Sequence, residues 1–192
     1  MNDIIINKIS KKFDAQTVFS DYSAVILAGK IHHLTGPSGT GKTTLLRMLM
    51  KLEMPDLGTI SGIPANIGAV FQENRLIEDL SVAENISLVI PGRADRGIIE
   101  SHLNKIGLED CIDKKVSELS GGMKRRVSIV RAVLYPCELL LFDEPFTGLD
   151  DKAIEITSGY ILSELKGRTC VVASHISDSK LLKDPVVIPV QC

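Results

Sequence analysis

The residues Gly36-Pro37-Ser38-Gly39-Thr40-Gly41-Lys42-Thr43-Thr44 match the pattern G-x-x-x-x-G-K-[S/T], the phosphate-binding P-loop. The short run before them predicts a strand over residues 31–35, and the run after them predicts a helix that extends to about Leu52. Glycine lets such a loop turn its N–H groups toward an anion, and the positive end of the following helix adds to the attraction. The pattern predicts that Lys42 binds the β- and γ-phosphates and that the Thr43 hydroxyl binds Mg²⁺. A glycine-rich turn that matches by accident is the alternative, and the rest of the sequence tests it.

The composition is that of an ordinary globular protein. The chain has 192 residues, of which 44% are hydrophobic and 24% charged, and this favours one domain. The net charge of -2 gives no basic field, so we expect no direct binding of nucleic acid. Four scattered cysteines, Cys111, Cys137, Cys170 and Cys192, are typical of reduced thiols in a cytosolic protein. No signal peptide and no apolar run of about 20 residues is apparent, so we expect any membrane role to need a partner.

The order of predicted elements indicates an α/β fold with a helical insertion. Short β-branched runs predict early strands at residues 4–6, 23–27, 59–61 and 67–71. Three helices are then predicted, the first opened by a capping box at Ser81 and closed by Pro91-Gly92, the others at 98–106 and 120–134. The last part predicts strands at 138–142, 169–173 and 186–190 and a helix at 150–165. Because strands and helices alternate there, we expect a mostly parallel sheet.

A buried strand that ends in two carboxylates follows the helical part. The run Leu139-Leu140-Leu141-Phe142 is apolar throughout and is followed by Asp143 and Glu144, the form of a Walker B element. Because ligands bind at the carboxyl ends of parallel strands, we expect both carboxylates to lie beside the P-loop. Asp143 is predicted to bind Mg²⁺, directly or through water, and Glu144 to accept a proton from the water that attacks the γ-phosphate. A simple N-terminal cap for the next helix is the alternative.

The residues Leu119-Ser120-Gly121-Gly122-Met123 resemble L-S-G-G-Q, the signature of the ATP-binding cassette (ABC) ATPases. A serine and two glycines at a helix start form a second anion site, which one nucleotide does not need within one subunit. The economical interpretation is that Ser120, Gly121 and Gly122 cap the γ-phosphate bound by another subunit; an ordinary helix cap is the alternative. Met123 departs from the usual glutamine, which puts a side-chain hydrogen bond there in doubt. A methionine at this position resembles the signature of ABC importer ATPases of the nitrate, sulfonate and taurine type.

Other marks of this family follow in order along nearly the whole chain. Gln72 is similar to the Q-loop glutamine, which the resemblance implies touches Mg²⁺ and the attacking water in a loop that faces the membrane partner. Asp150 lies in a run similar to the D-loop, so it is expected at the dimer interface, at a helix N-cap, or both. His175 resembles the switch histidine, which contacts the γ-phosphate. Taken alone, Gln72 could equally be a solvated loop amide, and His175 a structural histidine at a strand end.

Two hydrophobic residues near the N-terminus are candidates for the adenine site. Phe13 stands where the family has an aromatic residue that stacks on adenine, although a core aromatic is an equal alternative. Val18 is a further candidate for the same face. The basic run Lys124-Arg125-Arg126 is interpreted as a solvated or interface face rather than a nucleic-acid patch. His32, His33 and His102 match no family mark and are interpreted as structural.

The resemblance implies a single ABC ATPase domain over residues 1–192. Its expected parts are a P-loop NTPase core, an N-terminal antiparallel β subdomain and a helical subdomain at about 73–134. It also implies an ATPase that uses ATP and Mg²⁺, pairs with itself or a related ATPase subunit, and serves an integral membrane permease at the cytoplasmic face of the cell membrane. The alternatives are a soluble ABC-type ATPase in DNA repair or translation, and a non-ABC P-loop kinase. The short segment between Gln72 and Leu119 leaves no room for a long coiled coil, and the chain has only one cassette.

Overall fold

The computed structural model describes residues 1–92, 95–175 and 181–190. In chain order, the elements are β1 (Ile4–Phe13), β2 (Gln16–Ile26), β3 (Ile31–Thr35), α1 (Lys42–Leu49), β4 (Leu57–Ser61), β5 (Ile67–Val70), α2 (Val82–Ser87), α3 (Arg96–Lys105), a 3₁₀ turn (Val116–Glu118), α4 (Gly121–Leu134), β6 (Leu139–Asp143), α5 (Asp151–Glu164), β7 (Thr169–Ala173) and β8 (Val186–Pro189). The predicted α/β class is confirmed.

A five-stranded parallel sheet forms the centre of the fold, in the order β5-β6-β7-β3-β8. Every residue of β6 and β7 is buried, as expected of strands covered on both faces. Because the strands are parallel, their carboxyl ends meet at one edge. The loops that follow β3, β5, β6 and β7 therefore carry the P-loop, Gln72, Glu144 and His175 to the same edge of the sheet.

An antiparallel sheet, in the order β2-β1-β4, is built around the long N-terminal hairpin. The predicted strands at 4–6 and 23–27 cover only the open end of this hairpin, because the pairing shifts register between Ile6 and Lys12. Lys8 and Asp21 have positive φ angles of 48° and 54°, which disturb the alternation of apolar and polar residues. The inner face of the hairpin packs with α1 and with β3 in one hydrophobic cluster.

The helices between β5 and β6 belong to a second hydrophobic cluster, which also covers the other face of the central sheet. The predicted capping box is confirmed, since the Ser81 side chain accepts from the Glu84 N–H and Glu84 accepts from the Ser81 N–H. Two predicted helix ends are wrong. The helix after the P-loop ends at Leu49, and α2 ends at Ser87 rather than at Pro91. The helical subdomain of about 73–134 stays a prediction.

Within the described residues, no helix is both long enough and apolar enough to span a membrane. Cys111, Cys137 and Cys170 are free thiols, and Cys192 lies outside the described residues. Burial raises the pKa of the Cys170 thiol to about 12, which makes this thiol unreactive.

Candidate nucleotide-binding site

The P-loop is wrapped around the ammonium group of Lys42. Its Nζ donates to the carbonyl oxygens of Gly36 at 2.7 Å and Pro37 at 2.9 Å, and the Thr40 hydroxyl donates to the Pro37 carbonyl at 2.9 Å. The Lys42 side chain is therefore held inside the loop, at the place where a phosphate would enter. Its hydrogen bonds there are to neutral carbonyl oxygens, so an anionic phosphate would be a stronger partner.

Gly41 is the residue at which the loop turns into α1. It has a φ of 97°, in the left-handed region, and it is the N-cap of the helix. A Cβ at this position would lie 2.5 Å from Val18 Cγ1 and 2.9 Å from the ring of Phe19. Val18 and Phe19 belong to β2, so the N-terminal hairpin packs directly against the P-loop backbone. Only glycine fits both the backbone angle and this close approach.

A hydroxyl and a carboxylate oxygen meet at the base of the site. The Thr43 hydroxyl donates to Asp143 Oδ1 at 3.2 Å, which brings the first residues of α1 to the end of β6. Asp143 is buried, and burial raises its pKa, whereas the hydrogen bond from Thr43 and the charge of Arg125 act in the opposite direction. These two oxygens fit Mg²⁺, which prefers one or two protein ligands together with phosphate oxygens and water.

Glu144 follows Asp143 in a strained conformation. Its φ of 50° is left-handed, which costs a residue with a side chain roughly 1–2 kcal/mol. The Glu144 N–H donates to the carbonyl of Ala173 at 2.8 Å, so the chain turns sharply after β6 while it remains attached to β7. Strain of this kind is concentrated at functional sites. The turn places Glu144 in the lining of the cleft beside the P-loop.

The cleft has a volume of about 530 Å³. Its lining is formed by Phe13, Gln16, Val18, Ser38, Gly39, Gly41, Lys42, Thr43, Thr44, Arg47, Gln72, Asp143 and Glu144. The structure thus brings together most of the predicted site residues. Phe13 is 42% exposed, so its ring lies on the surface of the cleft and not in the core. Two further lining residues, Gln16 and Arg47, were not predicted from the sequence. The spacing of four from Thr43 on one helix could have found Arg47, whereas no signal marks Gln16.

His175 and the signature residues do not line this cleft. His175 is exposed just after β7, beyond the buried Ser174. Ser120 is the N-cap of α4, where its side chain accepts from the Met123 N–H at 3.3 Å. Gly122 packs against the run that precedes α5, since a Cβ there would lie 3.2 Å from Leu149 Cδ2.

The predicted N-cap role of Asp150 is confirmed. Its side chain accepts from the Ala153 N–H at 2.8 Å, at the start of α5. Ser120 and Asp150 are therefore both caps, and each belongs to a segment that touches the other through Gly122 and Leu149. Their roles toward a second subunit stay predictions.

The basic run on α4 needs a correction. Arg125 was interpreted as part of a solvated or interface face, but it is 4% exposed and points into the protein. Its guanidinium donates to the carbonyl oxygens of Phe71 and Gln72. Arg126 is half-buried and donates to the carbonyls of Ile106 and Gly107. Helical position alone did not show this, because the partner of Arg125 is a loop distant in sequence.

The proteins to which this chain is similar agree with a nucleotide-binding site. The family model described as "ABC transporter" matches residues 19–147. "Nod factor export ATP-binding protein I" of Burkholderia lata is 35% identical over 91% of this chain and 63% of its own length. "Spermidine/putrescine import ATP-binding protein PotA" of Fusobacterium nucleatum is 38% identical over 78% of this chain and 44% of its own. The chain thus spans less than two thirds of the length of these curated relatives.

Solved structures show the same fold. A dimeric bacterial ABC transporter cassette superposes with a TM-score of 0.84 and 26% identity, over 98% of this chain and 94% of that one. An ATP-binding protein of a putative ABC transporter from Pyrococcus furiosus gives a TM-score of 0.86 at 24% identity, over 98% of each chain. The predicted P-loop core with an antiparallel β part and inserted helices is confirmed by these similarities.

Proposed function

The chain belongs to the ABC transporter family, and from this premise we propose that it is the ATP-binding and hydrolysing subunit of a transporter, which powers transport through a separate membrane subunit. The observation that carries the proposal is the contact between the Thr43 hydroxyl and Asp143 at the base of a cleft that also holds Lys42 and Glu144. A loop for phosphates, ligands for Mg²⁺ and a carboxylate base thus share one cavity.

Each residue has a role that follows from its chemistry. Lys42 exchanges its carbonyl partners for the β- and γ-phosphates, and Thr43, Gln72 and Asp143 would hold Mg²⁺. When bound, Mg²⁺ neutralises charge on the phosphate oxygens. Glu144 accepts the proton of the attacking water, and His175 contacts the γ-phosphate. Catalysis is therefore mainly positioning and charge stabilisation.

Completion of the site requires a second ATPase subunit, either a copy of this chain or a close relative. Ser120, Gly121 and Gly122 lie at the start of α4, outside the cleft of their own chain, and a helix start of this kind is suited to bind an anion. In our proposal, these residues cap the γ-phosphate held by the partner, and Asp150 lies along the same interface. ATP binding closes the pair because the γ-phosphate contacts both subunits, and hydrolysis reopens it.

The variant Glu144→Gln tests the base role. We expect its turnover to fall by about 100-fold or more, the usual contribution of general base catalysis, while ATP still binds and holds the pair together. ATPase activity and size exclusion with ATP give the two measurements. Glu155→Gln, an exposed glutamate on α5, is the matched control and should behave like the wild type. Normal turnover of Glu144→Gln would remove Glu144 from this role.

The variant Ser120→Arg tests the two-subunit site. A bulky cation at the start of α4 should block closure and steady-state hydrolysis, while ATP affinity of the single chain stays within about threefold of wild type, since Ser120 does not line the cleft. Ser101→Arg, at an exposed position of α3, controls for the added charge. A large loss of ATP binding by the monomer would show that Ser120 acts within its own chain.

An apolar groove next to Gln72 supports the proposal of a membrane partner. The groove has a volume of about 430 Å³, and its lining includes Leu52, Phe71, Val89 and Tyr135. Leu52 is 58% exposed and, together with the other apolar lining residues, presents a connected apolar surface of the kind that marks interaction sites. We propose that a cytoplasmic segment of the membrane subunit packs here, which would place this chain at the cytoplasmic face of the membrane.

Capture from detergent-solubilised membranes tests this docking site. We expect the wild-type chain to retain a protein with several membrane spans, and Leu52→Asp to lose it while ATP binding persists. Ile98→Asp, half-exposed on α3, is the matched control. Capture of ribosomes or DNA instead would support a non-transport role. Because the named relatives include export and import proteins, the similarity to nitrate, sulfonate and taurine importers stays a prediction.

A further inference from the structure

The loop that carries Gln72 is held by two arginines of α4. Residues 71–75 form neither helix nor strand, so their carbonyl groups need partners from elsewhere. Arg125 donates to the carbonyls of Phe71 and Gln72, at 2.9 Å for Gln72. Arg131, at the other end of the loop, donates to the carbonyls of Asn74 at 3.2 Å and Arg75 at 2.9 Å. Two side chains of one helix thus bind four of the five carbonyls.

Further contacts make the loop and the helix one unit. The guanidinium of Arg75 lies 3.6 Å from the centre of the Phe71 ring, so the loop is stacked upon itself. Just beyond it, Glu78 accepts from Lys124 Nζ with both carboxylate oxygens at 2.9 Å. Arg125 is the buried member of the group, and a charge is buried only when its hydrogen bonds repay the loss of water. Burial lowers the pKa of Arg125, and the charge of Asp143 acts in the opposite direction.

We propose that Arg125 and Arg131 are positioning residues that fix the loop of residues 71–75 to α4, so that the helix that begins after Ser120 also sets the place of Gln72 in the cleft. A displacement of α4 moves Gln72 relative to Asp143, and a ligand on Gln72 resists that displacement. The consequence for catalysis rests on the proposed function, whereas the attachment of the loop to α4 does not.

Limited proteolysis of the nucleotide-free, full-length chain tests the attachment. Although Arg75 is exposed, trypsin must bind the chain around it in an extended form, so we expect cleavage after Arg75 to be slow while Arg131 holds the carbonyls of Asn74 and Arg75. In Arg125→Met and in Arg131→Met, we expect this cleavage to be about tenfold faster or more, because two hydrogen bonds from a charged group are lost in each. The matched control is Arg126→Met, whose side chain on the same helix binds the carbonyls of Ile106 and Gly107, and it should stay within about twofold of wild type.

Cleavage after the buried Lys42 and the melting temperature report global unfolding in every variant. If Arg125→Met does not fold, Arg131→Met decides, because Arg131 is only partly buried and lies farther along α4. Unchanged cleavage after Arg75 in a folded variant overturns the proposal. Equal acceleration in Arg126→Met also overturns it, since that outcome means a general loosening of α4.

Kinetics gives the second measurement. In Arg125→Met, we expect kcat for ATP to fall by about tenfold or more with KM within about threefold, because the P-loop that binds ATP is unchanged. Arg125→Lys keeps the charge but has one donor nitrogen in place of the two that bind the loop, so it should recover part of kcat. A rise in KM with an unchanged kcat contradicts the positioning role. If the wild-type chain does not hydrolyse ATP, the proposed function fails, but the proteolysis still decides whether α4 holds the loop.

Discussion

Replacement of Gly41 by alanine separates two demands that the structure makes on the P-loop. The first is the backbone angle, because a φ of 97° is left-handed and costs an alanine roughly 1–2 kcal/mol. The second is space, because the new Cβ would lie 2.5 Å from Val18 Cγ1 and 2.9 Å from Phe19. Overpacking of this kind typically costs about 1–3 kcal/mol. The two costs together lower the free energy of unfolding of Gly41→Ala by about 2–5 kcal/mol.

Gly39 provides the matched control within the same loop. Its φ of 83° is also left-handed, but a Cβ there would have no heavy atom within 4 Å. Gly39→Ala therefore carries only the backbone cost, about 1–2 kcal/mol. The difference between the two variants, about 1–3 kcal/mol, measures how tightly β2 packs against the loop.

Urea unfolding of the nucleotide-free chain, followed by circular dichroism, measures both free energies. The slope against urea should be the same in both variants, so that the midpoint reports stability. A second substitution, Val18→Ala, should relieve part of the loss in Gly41→Ala and none of the loss in Gly39→Ala. Equal destabilisation of the two glycine variants would refute the claim that the hairpin excludes a side chain at Gly41.

Three further predictions concern buried ionisable groups, each followed by thermal unfolding. Because burial raises the pKa of Asp143, Asp143→Asn should raise the melting temperature of the nucleotide-free chain while it abolishes Mg²⁺-dependent hydrolysis; a lower melting temperature contradicts this. His32 accepts a hydrogen bond from the Leu27 N–H, and burial lowers the pKa of His32 in the folded chain. As the pH falls, His32 is therefore protonated in the unfolded chain before it is protonated in the folded chain. Stability should therefore decline below about pH 6.5, by at most about 1.4 kcal/mol per pH unit for this residue, and His32→Gln should reduce the slope. Burial raises the pKa of Glu164, but the hydrogen bonds from Lys105 and Lys166 lower it by more, so the pKa is about 2. Its stabilisation is present above pH 4.5 and lost toward pH 2, so Glu164→Gln should be less stable than wild type at pH 7 and equal to it near pH 2.

The parts of the fold that depend on local signals were predictable from the sequence. The two strands β6 and β7 at the middle of the central sheet are buried at every residue and are mostly apolar, which is why β7 was predicted with its observed bounds and β6 within one residue of them. Helix starts were equally clear, because Ser81, Ser120 and Asp150 each bring a side-chain oxygen to the first turn. The same local chemistry identified the P-loop and the carboxylates after β6.

The missed features depend on contacts between distant segments. The middle of the N-terminal hairpin carries Lys8 and Asp21 at positive φ, and these irregular positions break the period of two that marks a strand. Arg125 was predicted on a solvated or interface face, because a basic run on a helix normally faces water, but it is buried. Its burial depends on the contacts with Phe71 and Gln72, which are 54 and 53 residues away in sequence and lie in a loop with no pattern that indicates such a partner.

The chain contains two helix starts suited to a phosphate, and their separation supports the proposal that a complete site takes one of them from each of two chains. The start of α1 lies inside the cleft, where Lys42 and Thr43 are surrounded by strand ends of the central sheet. The start of α4 belongs to the inserted helices, and Leu149 packs against its Gly122 outside the cleft. Movement of α4 into its own cleft would require the hydrogen bonds from Arg125 and Arg131 to the loop of Gln72 to break. A second chain can supply the same group to the cleft with all of these contacts intact, so we infer that pairing is the lower-energy way to enclose a triphosphate.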